Sequence, residues 1–144
     1  MHLHRVIDPG NVGTVVRACG ALGPAWLSLS PGCSDPLSAK GVRASMGAVF
    51  RVPIEAGADV PQDGVRIALV PDAPTPLWAL DLTQAAVLVV GAERHGLPAE
   101  LVERCDATCR IPQAAAADSL NAAQAATLAL YEAARQRAAA TATG

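Results

Sequence analysis

The sequence predicts an α/β domain on a mostly parallel sheet with helices on both faces. Three observations carry this. Short apolar runs alternate with stretches of helical periodicity along the chain. One run, residues 85–90, is continuous and Val-rich, as in a strand buried on both sides. The 144 residues suffice for one domain with its own core.

Composition narrows the class. The chain is 51% hydrophobic but only 3% aromatic, so its core is built from Ala, Val, Leu and Ile rather than rings. The net charge of -2 argues against a surface that attracts nucleic acid everywhere and leaves room for a local basic patch. Four cysteines, at 19, 33, 105 and 109, form no disulfide framework in a chain of this size. Cys105-x-x-x-Cys109 has no second ligand pair nearby, so no metal is expected. No signal peptide is evident, and no apolar run reaches the roughly 18 residues of a membrane span. A reduced, cytoplasmic protein is the expectation.

In chain order, residues 3–7 form a first strand and Asp8-Pro9-Gly10-Asn11 a turn. Residues 12–22 make a helix with an apolar stripe of Val12, Val15, Val16, Cys19 and Leu22, ended by Gly23-Pro24. Asn11 sits at its start and Arg17 near its middle. Residues 25–29 are a second strand, 37–46 a short helix bearing Lys40 and Arg43, and 49–54 a third strand with Arg51 on one face. A polar connection over 56–64 leads to a fourth strand, 65–70, and a turn-rich, irregular stretch to residue 82. The buried strand 85–90 follows, then a short helix at 99–105 and a last strand at 107–111.

Pro112 stops that strand, and a loop of small residues leads to Asp118 and Ser119, both good helix caps. From Leu120 to about residue 137 nothing breaks a helix. Leu120, Ala123, Thr127, Tyr131 and Ala134 recur at three- and four-residue steps and predict its buried face. The tail, 138–144, is expected to fray.

Single motifs are weak here. Gly91-x-Glu93-x-x-Gly96 follows a buried strand, yet it is not the dinucleotide fingerprint, and there is no P-loop. No G-x-S-x-G elbow supports a hydrolase. The ensemble is stronger. Asn11-x-Gly13-x-x-x-Arg17 comes first, with Gly20-Ala21-Leu22-Gly23 behind it. Gly91-x-Glu93-x-x-Gly96-Leu97 comes second, and Ile111-Pro112 with Ser119-Leu120-Asn121 third, before a long helix bearing Tyr131-Glu132. Together, from about Asp8 to Arg137, they resemble the SpoU-type (TrmH-type) branch of the SPOUT methyltransferases. Ala44-Ser45-Met46-Gly47-Ala48 and Phe50-Arg51-Val52-Pro53 are similar to the segment that this family carries between its first two motifs.

The resemblance implies a domain whose C-terminal segment threads a loop to form a deep trefoil knot, a topology otherwise almost absent from proteins. It implies a homodimer that binds S-adenosylmethionine and methylates a ribose 2′-hydroxyl of tRNA or rRNA. Carried onto this chain, the cofactor contacts are Leu69, Gly91, Ile111, Ser119 and Leu120. The catalytic group is Arg17, supported by Asn11, Glu93, Ser119 and Asn121. Lys40, Arg43, Arg51, Arg94 and Arg110 are candidates for an RNA-facing patch. Departures occur at Ala115 (commonly Gly in the family), at Gln113 (commonly a larger apolar residue) and at Ala92 (often Asn). Only residues 1–7 precede the first turn, so the chain reads either as a minimal single-domain enzyme or as the catalytic piece of a longer protein. The alternative function is a catalytically silent knotted module for RNA binding or assembly.

Overall fold

The computed structural model describes residues 1–114 and 120–142. Six strands form one sheet: β1 (His2–Leu3), β2 (Leu27–Leu29), β3 (Ile54–Ala56), β4 (Val65–Leu69), β5 (Ala86–Val90) and β6 (Ala107–Cys109). Their order is β3-β2-β1-β5-β4-β6, and every pairing is parallel. Among the described residues, α1 (Pro9–Leu22), α2 (Ala39–Ser45) and α3 (Ala99–Glu103) lie between strands, and α4 (Ala122–Ala142) follows β6.

β5 shows why the chain makes two layers around the sheet. Leu88 and Val90 enter the main core, which also takes Leu3, Val12, Val15, Val16 and the alanines of α4. Val87 and Val89 enter a second cluster on the other face with Val60 and Leu101 of α3. The run is apolar at successive positions because neither face of the strand meets water. Full burial of each such Val or Leu contributes about 1.5–3 kcal/mol.

α1 packs against both α2 and α4. Its buried side is Val12, Val15, Val16 and Cys19, as the sequence predicts. The approach of α2 is backbone-close: a Cβ on Gly13 would overlap the carbonyl oxygen of Gly41 and sit 2.8 Å from the Ala44 Cβ.

Several boundaries differ from expectation. β1 and β2 are shorter than predicted. Residues 49–54 are not a strand: Met46 and Gly47 adopt left-handed backbone (φ 50° and 78°), and a 3-10 turn over Ala48–Phe50 delays β3 to Ile54. The reversal at 46–47 overrides the β-preference of Val49 and Phe50.

α4 starts at Ala122, not Leu120. Asn121 caps it: its Oδ1 accepts from the Gln124 N–H at 2.8 Å, and Gln124 Oε1 accepts from the Asn121 N–H at 3.0 Å. The predicted caps Asp118 and Ser119 lie outside the described residues. The helix runs on through residue 142 instead of fraying at 138, because its alanines favour helix and Gln136 anchors it. Gln136 Oε1 accepts from the Leu82 N–H (2.8 Å), and its Nε2 donates to the Leu80 carbonyl (3.0 Å). The buried face is Ala122, Ala123, Ala126, Ala129, Leu130 and Ala133; Ala123 is buried as predicted, while Tyr131 is 55% exposed. Alanines let α4 lie close to α1 and the sheet, with Leu130 the large side chain among them, while Leu128 and Tyr131 turn outward.

Two predictions follow from this packing. Gly13→Ala is expected to destabilise the fold by about 2–4 kcal/mol, since backbone blocks the new methyl. Gly47→Ala, whose Cβ would meet nothing within 4 Å, costs only about 1 kcal/mol for its left-handed backbone. Urea denaturation of both variants checks this ranking. The second concerns His2, buried with its Nδ1 3.0 Å from the Ser28 Oγ. Burial, reinforced by His4, pushes its pKa from 6.5 down to about 4. The unfolded His2 takes up a proton below pH 6.5 while the folded one does not, so stability falls as pH drops from there towards 4. His2→Gln should flatten that part of a stability-versus-pH curve.

Candidate functional site

The C-terminal ends of parallel strands gather loops on one edge of the sheet, and the site is built there. Asp8 caps α1, with its Oδ1 accepting from the Gly10 N–H at 2.9 Å and from Lys40 Nζ at 2.7 Å. The lysine bond holds the Asp8 carboxyl below its ordinary pKa. Pro9 occupies the first helical position. This start places Asn11 in the first turn, facing the loop after β5. Its Nδ2 donates to Glu93 Oε1 at 2.6 Å, across 82 residues of sequence.

That loop folds back on itself. The Gly96 N–H donates to the Ala92 carbonyl at 2.8 Å, and Gly96 takes a φ of 61°. Gly91 packs directly on the Gly96–Leu97 backbone, where a Cβ would collide. Glycine at 91 is therefore a steric need of the loop rather than a wall of the cavity beside it.

That cavity, about 430 Å³, lies over the ends of β4, β5 and β6. Leu69, Val70 and Pro71 form one side, the 92–97 loop a second, and Ile111, Gln113, Leu120 and Ala125 a third. Of the predicted cofactor contacts, the structure brings Leu69, Ile111 and Leu120 together here. Gly91 supports the loop wall, and Ser119 and Ala115 lie outside the described residues. Ala125 was not legible from sequence, since only the close approach of α4 brings a helical alanine to this wall.

Arg110 is not a free RNA-facing charge. Its Nη1 donates to the Ala73 carbonyl at 2.6 Å and also to that of Pro74. Its backbone N–H donates to Thr75 at 2.9 Å, and its carbonyl accepts from the Leu77 N–H at 2.8 Å. Arg110 thus clamps the 73–77 loop beside the strand end that carries Ile111. The charge pattern alone could not separate a clamp from a patch.

Arg17 is exposed on α1 and is not among the residues that line the cavity over β4, β5 and β6. It stands six residues, ~9 Å of helix, beyond Asn11. Asn121 spends its Oδ1 on the α4 cap and lines a further cavity of about 420 Å³ with Asn11, Thr14 and Leu128. Its predicted hold on Arg17 is not made within the chain. Among the described residues no group of three His, Cys, Asp or Glu could hold a metal ion.

Comparison with known proteins places this geometry. Residues 1–131 match the SpoU rRNA Methylase family. A tRNA/rRNA methyltransferase of Synechocystis, itself uncharacterized, is 37% identical over 150 residues, covering 99% of this chain and 55% of the relative. The 23S rRNA (uridine(2479)-2′-O)-methyltransferase of Streptomyces viridochromogenes is 37% identical over 149 residues, covering 92% of this chain and 51% of the relative. The AdoMet complex of the SpoU methyltransferase AviRb from Streptomyces viridochromogenes superposes with a TM-score of 0.88 at 33% identity, over 95% of this chain and 57% of that one. An AdoMet-bound rRNA methyltransferase from Sinorhizobium meliloti gives 0.86 at 39% identity, over 93% and 54%. The chain spans about half the length of the curated relatives it matches.

The Arg110 clamp is testable. Arg110→Ala should cost about 1–3 kcal/mol, since carbonyls on the loop lose a charged donor. Hydrogen exchange at the Leu77 amide should rise at least tenfold. Unchanged exchange there would show that the side chain holds nothing.

Proposed function

The chain belongs to the SpoU rRNA methylase family, and on that premise we propose that it transfers a methyl group from S-adenosylmethionine to a ribose 2′-hydroxyl of tRNA or rRNA. The observation that carries this reading is the cavity over β4, β5 and β6, joined to the start of α1 by the Asn11–Glu93 hydrogen bond. The residues present fit the cofactor. The cavity lies within the ~300–1,000 Å³ of small-molecule sites. Its walls combine apolar side chains (Leu69, Ile111, Leu120) with loop backbone for a purine and ribose.

When bound, S-adenosylmethionine supplies a methyl group on a sulfonium, whose departure as a neutral thioether needs neither metal nor acid. The protein's task is then to align the hydroxyl and manage its proton. Asn11 and Glu93 hold the helix start against the cofactor loop. Gly91 gives that loop its close turn, and Asn121 orders the entry to α4; Ser119, with Asn121, is assigned the positioning of Arg17 and the cofactor loops. A guanidinium holds its protons too tightly to make a good general base. The role of Arg17 is to hold a phosphate of the RNA and stabilise alkoxide charge on the attacking oxygen.

Arg17 acts across a homodimer in this reading. It lies outside the lining of the cofactor cavity, on the exposed stripe of α1 beside Thr14, Gly20 and Ala21. α1 contacts both α2 and α4, and large apolar side chains are exposed nearby: Met46 (70%) and Phe50 (73%) after α2, and Leu128 (43%) and Tyr131 (55%) on α4. Such a surface suits burial against a second copy.

The C-terminal segment forms a trefoil knot by passing through the loop of residues 70–85. Support comes from the double tie on that loop, by Arg110 from one side and Gln136 from the other. The chain works as one methyltransferase domain. No helix among the described residues is long and apolar enough to cross a membrane, and the cytoplasmic reading rests on the RNA substrate.

Calorimetric titration with S-adenosylmethionine and S-adenosylhomocysteine tests the reading, with saturation at one site per chain expected for both. Arg17→Ala should keep that affinity within about twofold while methyl transfer to RNA drops at least ~100-fold, the usual scale for losing one group that stabilises developing charge. Cofactor binding without any transfer to tRNA or rRNA would favour the silent-module alternative. No binding by a folded protein would overturn the proposal.

A further inference from the structure

Strand order reverses between β1 and β5: β2 and β3 run outward from β1, while β4 and β6 run outward from β5. The loops leaving β1 and β5 therefore part, and a crevice opens above their C-terminal ends. A cavity of about 550 Å³ fills that crevice, between residues 4–11 and residues 92–98. It is distinct from the cavity assigned above to the cofactor, yet both are lined by the 92–96 loop, and Glu93 belongs to each. Asn11 closes the boundary through its bond to Glu93.

The walls have the character of a base site. Ile7, 72% exposed, and Pro98 offer apolar surface, and the imidazoles of His4 and His95 are the rings that line the space. Two arginines stand at the rim, Arg5 and Arg94, both exposed. Neither has an acidic partner within salt-bridge distance among the described residues, whereas the nearby carboxylates are engaged: Asp8 by Lys40 and Glu93 by Asn11. In a chain of net charge -2, with Asp8 neutralised by Lys40 and only Glu93 left to oppose them, the two arginines give this rim a local cationic excess. Arg5 is also held in left-handed backbone (φ 52°), with its N–H donating to the Ser30 Oγ at 3.0 Å. Strain of that kind persists where the surroundings over-determine a residue.

We infer that this switch-point cavity receives the base of the target nucleotide, turned out of its stack, with Arg5 and Arg94 holding the flanking phosphates. The inference rests on the methyltransferase reading and deepens it. The base and the 2′-hydroxyl sit on adjacent ribose carbons, so a base seated here brings that hydroxyl to the Asn11–Glu93 boundary and the neighbouring cavity. Unstacked bases are also how single-stranded RNA is read, on apolar and guanidinium surfaces.

A five-nucleotide single-stranded RNA with 2-aminopurine at its centre tests this, titrated in the presence of S-adenosylhomocysteine. Unstacking from its neighbouring bases should raise the probe's fluorescence several-fold, with saturation. Arg5→Ala and Ile7→Asp, both at exposed positions, should weaken RNA binding at least tenfold and abolish the rise. Calorimetric affinity for S-adenosylhomocysteine should stay within twofold in both, which also shows that they fold. Arg135→Ala, an equal loss of charge on α4, should behave as wild type. If Arg5→Ala and Ile7→Asp bind the RNA with an unchanged rise, or if wild type binds the cofactor product but gives no rise, the base site is overturned. Failure of wild type to bind the cofactor product overturns the methyltransferase reading instead.

Discussion

β5 must be buried on both faces, and much of the architecture depends on that constraint. A five-residue strand with Leu88 and Val90 on one side and Val87 and Val89 on the other cannot lie at a sheet edge or face solvent. It has to sit in the middle, between β1 and β4, with helices above and below. Once there, it is the strand at which order reverses, so the loop that leaves it stands between two crevices. The loop residues that line both cavities owe their position to the burial of the strand beneath them.

A second theme is the use of small residues for contact and large ones for exposure. Gly13 against Gly41, and the alanine face of α4 against α1, bring backbones together with little side chain between them. The core gains packing density, and the larger apolar side chains Met46, Phe50, Leu128 and Tyr131 are left outside. A domain with so few rings that still exposes Phe50 and Tyr131 has surface that suits another partner.

The site itself is held by a few long-range polar ties. Asn11 to Glu93 joins α1 to the loop after β5. Arg110 joins the end of β6 to the 73–77 loop, and Gln136 joins α4 to residues 80–82. Each links segments far apart in sequence that meet only when the sheet is complete. Loop geometry around the cavities is thereby coupled to global folding rather than to local turn preference.

The sequence by itself determined the α/β class, the apolar stripe of α1, the doubly buried strand and the three motifs that place the chain in its family. These are properties of local periodicity and of residue type at short spacing. Only the tertiary structure decided that residues 49–53 turn rather than extend, that Asn121 caps α4, and that Tyr131 faces out. It alone separated Arg110, a clamp, from Arg5, an arginine without an acidic partner at a cavity rim. The physical reason is that a side chain's role follows from which partners lie within hydrogen-bonding reach. For these residues most of the partners come from distant parts of the chain, where no pattern along the sequence records them.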